Sequence, residues 1–214
     1  LVRQWDATVA RDSSAASVAE LWLNRHLVPA IAAATLPEAA RPLISPGSPG
    51  AALDMMDRAP ANRDAILSAS LKATVAQLSG LMGDDPDRWQ WGRLHQARFV
   101  HALTPLADPR DRGQLAVGPL ELSGSASTPH ATSYGPNFDL TAGASFRMVL
   151  DVGDWDASRV INTPGQSGDP FSPHYRDLAP LWANGRYVPM LYSREAVEAA
   201  TAERLVLNPA GGGR

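Results

Sequence analysis

The chain has 214 residues, 44% of them hydrophobic and 19% charged, so it can bury a core and lacks the composition of a disordered segment. Its formal net charge of -3 argues against a surface built to neutralise nucleic-acid phosphates or acidic lipids. The absence of cysteine excludes disulfides, a thiol nucleophile and thiolate metal sites, and no apolar run approaches the roughly 20 residues of a membrane span, since charge or proline cuts each one.

The polypeptide starts at Leu1, with neither an initiator methionine nor a signal-like segment, and reads as a processed or excised piece of a longer protein. Its first half reads as helical. Asp12 or Ser13 stands where a cap belongs, and Val18, Leu21, Trp22 and Arg25, with Leu23, Leu27, Ile31 and Ala34 on the neighbouring track, follow the spacing of an amphipathic helix. Ser17 and Glu20 have capping-box spacing, and Pro29 is expected to kink the helix or end it at 26–28. Pro37, Pro42, Pro46, Gly47, Pro49 and Gly50 make residues 36–60 read as a surface loop or a variable insertion. The clearest helix follows, capped by Asn62, with Leu67, Leu71, Val75, Leu78 and Met82 on one stripe, Thr74 and Leu81 at its margin, and Gly83 past its end. Asp84, Asp85 and Pro86 start a short turn. Residues 89–106 satisfy neither period and stay open between strand and loop.

The second half changes character. Phe146, Met148, Leu150 and Val152 alternate with Ser145, Arg147, Val149 and Asp151, which predicts a strand buried mainly on one face. Residues 154–157 connect it to a return strand at 159–163, completing an antiparallel hairpin. Residues 163–170 are too rich in Gly and Pro to be an element. A short helix is expected after Ser172, with Pro173 in its first turn and Gly185 past its end. Residues 186–192 read as a strand or extended arm, Ser193 caps a last helix over 194–205, and 210–214 read as a disordered tail. The division is thus 1–110 mainly helical and 111–209 mixed strands and short helices, an α+β chain.

No complete catalytic set emerges from these residues. Gly165-Gln166-Ser167-Gly168 lacks the Gly-x-Ser-x-Gly elbow of serine hydrolases, although His95, His101, His130 or His174 could approach a serine in space. His95 and His101 do not match zinc spacings, and structural roles are expected for both. Asp151, Asp154 and Asp156 surround a turn where calcium is conceivable, but EF-hand spacing is absent and solvated turn residues are the default. Residues 164–170 lack the endings of phosphate-binding loops. Trp155, Phe171, Tyr175, Trp182 and Tyr187 could line a pocket, but aromatics at this density more often fill a core or a subunit contact.

The string Gly143-Ala144-Ser145-Phe146-Arg147-Met148-Val149-Leu150-Asp151, then Gly153-Asp154-Trp155-Asp156, Asn162-Thr163-Pro164-Gly165-Gln166-Ser167-Gly168-Asp169-Pro170, Ser172-Pro173-His174-Tyr175 and Pro180-Leu181-Trp182, resembles the carboxyl-terminal part of the penicillin acylase (penicillin amidase) family. Trp91-Gly92-Arg93-Leu94-His95, Trp5-Asp6 and Glu20-Leu21-Trp22 add to the likeness. The sequence departs from it at Ser123 to His130, where a Gly-Asp-Gly turn before Thr-Val-Asn is replaced by Gly124-Ser125-Ala126-Ser127-Thr128-Pro129-His130.

The resemblance implies an N-terminal-nucleophile hydrolase with a layered αββα core. Such a protein is exported to the periplasm or secreted, and cuts itself from a precursor into α and β chains. Its reaction is hydrolysis of an amide such as the acyl side chain of a β-lactam or an acyl-homoserine lactone. The family's nucleophile is a serine at the start of the β chain, whose own α-amino group, of pKa about 7.7–8.0, takes the hydroxyl proton. That serine, the oxyanion asparagine, the arginine and the calcium ligands belong to upstream segments, so no catalytic, cofactor or metal residue carries over onto this chain. The expected partners are the rest of the β chain, the α chain and an N-acyl substrate, with no nucleic acid, no membrane span and no cofactor beyond a structural calcium ion in the full enzyme. The piece alone should then be an inactive scaffold. Two other readings are a noncatalytic assembly module with the same fold and an independent enzyme using Ser167 with a histidine.

Overall fold

A computed structural model of the chain describes residues 1–43, 50, 54, 56, 57 and 62–208. The expected tail at 210–214 and most of the loop expected at 36–60 lie outside the described residues. Within that loop Glu38–Leu43 form a 3-10 helix, and Met56 is buried, so a plain surface loop is not what the described part shows. The chain divides into two compact units, Leu1–Gly143 and Ala144–Arg214.

In the first unit, helix α1 (Ser14–Leu21) runs through a π-helical segment (Trp22–Leu27) into α2 (Val28–Thr35). The Ser13 hydroxyl accepts the Ala16 N–H at 3.1 Å and so caps α1. Ser17 caps nothing, because it lies one turn inside the helix, fully buried. Pro29 does not end the helix either. The Val28 N–H reaches back five residues to the Leu23 carbonyl, and the widened turn places proline, which has no N–H to give, in the first turn of α2.

Helix α3 (Arg63–Met82) is where the spacing predicts it, stopped by Gly83 at φ 88°, although the Asn62 side chain makes no capping bond. Its buried face differs from the expected stripe. Ser70, Thr74 and Leu78 face inward, while Leu71, Val75 and Leu81 are 36%, 42% and 50% exposed. Small hydroxyl residues let the π segment approach closely: Trp22 Nε1 donates to the Ser70 hydroxyl at 2.9 Å, and the Thr74 hydroxyl donates to the Ser70 carbonyl at 2.9 Å. By length, and by a mean hydropathy of 1.2 over its most apolar window, α3 could cross a membrane; within this unit its Ser70 face is packed on the π segment.

Residues 89–106, open between strand and loop, contain the short helix α4 (Trp91–Leu94), strand β1 (Gln96–Phe99) and a 3-10 turn (Thr104–Leu106). After α5 (Arg112–Leu115), β2 (Val117–Glu121) pairs antiparallel with β1, Gln96 opposite Glu121 and Phe99 opposite Val117. A second small ladder joins β3 (Ser133–Tyr134) to β4 (Leu140–Ala142). One core cluster gathers Ala16, Val18, Leu21, Leu78, Trp89, Trp91 and Phe138; another gathers Leu27, Val28, Ile31 and Met56. Trp91 has no exposed surface, and a buried tryptophan of roughly 200 Å² stabilises by at most about 5 kcal/mol.

The second unit holds a three-stranded antiparallel sheet of order β5-β6-β7, formed by Arg147–Val149, Arg159–Ile161 and Val188–Pro189. The expected hairpin is present, with Arg147 opposite Ile161 and Val149 opposite Arg159. Its burial does not follow the expected alternation, since Val149, on the same face as Arg147, is exposed as well. Arg147 points inward, whereas Phe146, Met148, Leu150 and Val152 are 53%, 52%, 41% and 79% exposed. The guanidinium is tolerated inside because Nε donates to the Ala144 carbonyl at 3.1 Å and Nη1 to the Trp182 carbonyl at 3.2 Å, with the Trp182 ring 4.6 Å away.

Helix α6 (Ala179–Ala183) starts later than expected, with Pro180 rather than Pro173 in its first turn. Residues before it are held by the loop, where the His174 carbonyl receives two N–H groups and its own N–H goes to the Ser172 hydroxyl. Helix α7 (Arg194–Ala200) is capped by Ser193 as expected and ends five residues before 205. Helices with small antiparallel sheets make the chain α+β.

Candidate functional site

The loop 164–175 holds the nearest approach to a serine-hydrolase string. Its amides point inward: the N–H groups of Gln166 and Ser167 both donate to the His174 carbonyl, at 2.9 and 3.1 Å. They are therefore engaged within the loop and do not form an anion cradle. The Ser167 hydroxyl accepts the Asp169 N–H at 3.1 Å, and the His174 imidazole sits 2.8 Å from the Asp177 carboxylate at the surface. A nucleophile needs its hydroxyl aimed at a base, and these bonds aim Ser167 and His174 elsewhere. Gly165 closes the loop, since a Cβ there would press into the His174 carbonyl and lie 2.6 Å from the Tyr175 carbonyl.

The acidic turn does not fit calcium. Asp151 accepts the N–H groups of Gly153 and Asp154, Asp154 accepts that of Asp156, and Asp156 accepts those of Tyr192 and Ser193 at 2.7 and 2.9 Å. Hydrogen bonds from Ser193 and Tyr192 hold the Asp156 carboxyl below the usual range. Each carboxylate thus ties a backbone turn, and no group of three metal-ligating side chains converges among the described residues.

The histidines separate. His95 is fully buried, its Nδ1 2.9 Å from the Phe138 carbonyl and its ring 5.1 Å from that of Trp91. His101 Nδ1 accepts the Leu103 N–H at 3.1 Å, which steadies a turn. Each is engaged in a hydrogen bond within its own part of the fold. Around His95 lies a polar and aromatic cage that the sequence reading missed. The Tyr134 hydroxyl donates to Glu20 at 2.8 Å, Asn24 donates to the same carboxylate, and Arg25 donates to the Gly135 carbonyl at 2.9 Å with its guanidinium over Phe138. Burial and the neighbouring Glu20 carboxylate push the Tyr134 hydroxyl pKa up, so it remains a donor. The available signal was the row of polar Ser17, Glu20 and Asn24 within an apolar helix.

The divergent loop 123–130 lines a cavity of about 270 Å³ together with Ala7, Thr8 and Val9. Its backbone is tied to its surroundings and to itself: the Gly124 N–H donates to the Val9 carbonyl at 2.7 Å, Trp91 Nε1 donates to the Gly124 carbonyl at 2.9 Å, and the Thr128 hydroxyl bonds Ser125. His130 stands on this wall, far in sequence from Ser167. The late aromatics do not form one cluster. Tyr175 and Trp182 are buried, Phe171 is 76% exposed, and Trp155 packs on Tyr192 at 5.6 Å.

The family described as penicillin amidase matches residues 1–199. Over 150 residues the chain is 36% identical to acyl-homoserine lactone acylase QuiP of Pseudomonas putida, covering 69% of this chain and 18% of that protein. It is 36% identical over 149 residues to the penicillin acylase 2 proenzyme of Pseudomonas sp. (strain SE83), covering 67% of this chain and 18% of that one. A solved thermostable penicillin G acylase from Alcaligenes faecalis aligns at 18% identity and TM-score 0.41, over 92% of this chain and 39% of that one. The chain therefore spans about a fifth of the length of the curated relatives it matches.

Proposed function

Because the chain belongs to the penicillin amidase family, we propose that it is the carboxyl-terminal portion of an acylase β chain and serves an amidohydrolase as scaffold. The reaction is hydrolysis of an N-acyl amide, with acyl-homoserine lactones and β-lactam side chains as the substrate classes, in keeping with the names of the relatives. The nucleophile is a serine that begins the β chain upstream, freed by self-cleavage of the precursor in the periplasm or outside the cell. Its α-amino group takes the hydroxyl proton, donors from the fold stabilise the oxyanion, the amine leaves, and water releases the acid. The structural calcium ion belongs to the upstream part.

The observation that supports this reading is the family match over 1–199, on a chain whose Ser167 and His174 are bonded away from each other. The test is the whole gene product, assayed with a chromogenic phenylacetyl amide and with a fatty-acyl homoserine lactone. Turnover that is lost when the serine after the processing site becomes alanine supports the proposal. A processing site followed by no Ser, Thr or Cys, with no turnover, favours a noncatalytic assembly module instead.

A further inference from the structure

Of the six asparagines in the chain, Asn184 alone is followed by glycine. It is exposed at the end of α6, and the turn there explains why glycine stands next to it. The Gly185 N–H donates to the Trp182 carbonyl at 3.1 Å and the Arg186 N–H to the Leu181 carbonyl at 2.8 Å, the paired bonds of a Schellman end. Such an end puts residue 185 in the left-handed region, here at φ 63°, which glycine adopts without steric cost. The Asn184 side chain completes the turn, since its Nδ2 donates to the Pro180 carbonyl at 2.7 Å. The local fold thus demands glycine immediately after a surface asparagine.

We propose that Asn184 is a site of spontaneous deamidation, guarded by the same side-chain amide that the reaction consumes. The Gly185 backbone nitrogen loses its proton and attacks Asn184 Cγ; a C–N bond forms, the Cγ–Nδ2 bond breaks, and ammonia leaves. Water then opens the five-membered imide at either carbonyl, giving aspartate or isoaspartate with no change of oxidation state. Glycine, having no Cβ, lets the two groups approach closely. In the closed turn both reacting atoms are held, the attacking nitrogen by the Trp182 carbonyl and the departing one by the Pro180 carbonyl. The reaction therefore waits for the last turn of α6 to open. Afterwards the turn cannot close as before. A carboxylate has no hydrogen for the Pro180 carbonyl and sets a negative charge among the carbonyls that end the helix, while isoaspartate also lengthens the main chain by one carbon. The Trp182 carbonyl accepts Arg147 Nη1 as well, so the disturbance reaches the buried guanidinium. The proposal concerns the second unit and holds whether or not the whole protein is a hydrolase.

The test incubates the whole gene product at mildly alkaline pH, folded and in guanidinium, and follows the peptide carrying residue 184 by mass, since NH is replaced by O. Deamidation is expected to be about tenfold or more slower in the folded protein. Asn137, equally exposed but followed by Phe138, is expected to react far more slowly than Asn184 in guanidinium. The slowing at Asn184 should match, within about threefold, the protection of the Gly185 amide from hydrogen exchange, because one opening serves both. Asn184→Asp should reduce that protection about fivefold, relative to each protein's own unfolded state. Equal rates in the folded and unfolded protein overturn the proposal, as does an Asn184 no faster than Asn137 in guanidinium. A Gly185 amide that exchanges freely while deamidation is slow overturns it too, and so does unchanged protection in Asn184→Asp.

Discussion

Lowering the pH from about 7.5 to about 5.5 is expected to weaken the first unit through His95. The imidazole has no exposed surface, and its Nδ1 carries the hydrogen given to the Phe138 carbonyl at 2.9 Å. Nε2 is buried with no partner, so protonation would create a second N–H with nothing to receive it. Burial therefore lowers the His95 pKa from its usual 6.5, outweighing the Phe138 bond and the Asp139 charge, which act the other way. A depressed histidine pKa means that the unfolded chain takes up the proton first. The stability is complete above an unfolded pKa of about 6.5 and falls as the pH drops below it, until the folded pKa is passed. At about pH 5.5 the loss is at most about 1.4 kcal/mol, one pH unit's worth, which moves the melting point of a chain this size by about 3–6 °C. Urea unfolding followed by tryptophan fluorescence at both pH values measures it, on the parent and on His95→Gln, whose amide still donates to Phe138 but does not titrate. The parent should lose more stability than the variant; equal losses would refute the reasoning.

Replacing Ser13 by Ala should cost about 1 kcal/mol by removing the α1 cap, whereas Ser17→Ala should be neutral or stabilising because its buried hydroxyl has no partner, and urea midpoints of the two variants separate these outcomes. Gly165→Ala should cost about 2–4 kcal/mol, since the added methyl meets two backbone carbonyls, and hydrogen exchange at the Gln166 and Ser167 amides should quicken with it. Arg147→Met keeps the stem but removes two hydrogen bonds from the guanidinium, while the Ala144 and Trp182 carbonyls keep Trp182 Nε1 and the Gly185 N–H as donors, and a loss of about 1–2 kcal/mol is expected in thermal unfolding of the second unit. Ser167→Ala should leave the acylase activity of the whole protein unchanged in a chromogenic amide assay.

Where hydrophobic period and turn chemistry agree, the elements stand where the sequence reading puts them: α3 with Gly83 past its end, the β5–β6 hairpin, and α7 behind Ser193. The inward faces were harder to read, and for two separate reasons. On α3 the contact is made by Ser70 and Thr74, whose hydroxyls are satisfied by carbonyls one turn back, so small polar residues act as close-packing surface. On β5 a charged residue is inside because its planar head has two carbonyls and an indole to lie on, and the apolar row is outside. The candidate site was legible chiefly as an absence of complete motifs. The Glu20, Tyr134 and His95 cage joins positions more than a hundred residues apart, a proximity that local spacing does not encode.

The wide turn at Trp22–Leu27 acts as a phase shifter in what is otherwise one rod. It takes in an extra residue, so the half before it aims Ala16, Val18 and Leu21 at one cluster while the half after it aims Leu27, Val28 and Ile31 at the other. Deleting a single residue between 22 and 27 would close the wide turn into ordinary winding and leave the residues downstream facing as before. Its cost would fall on Pro29, whose ring would then meet a continuous α-helical ladder with no N–H to give.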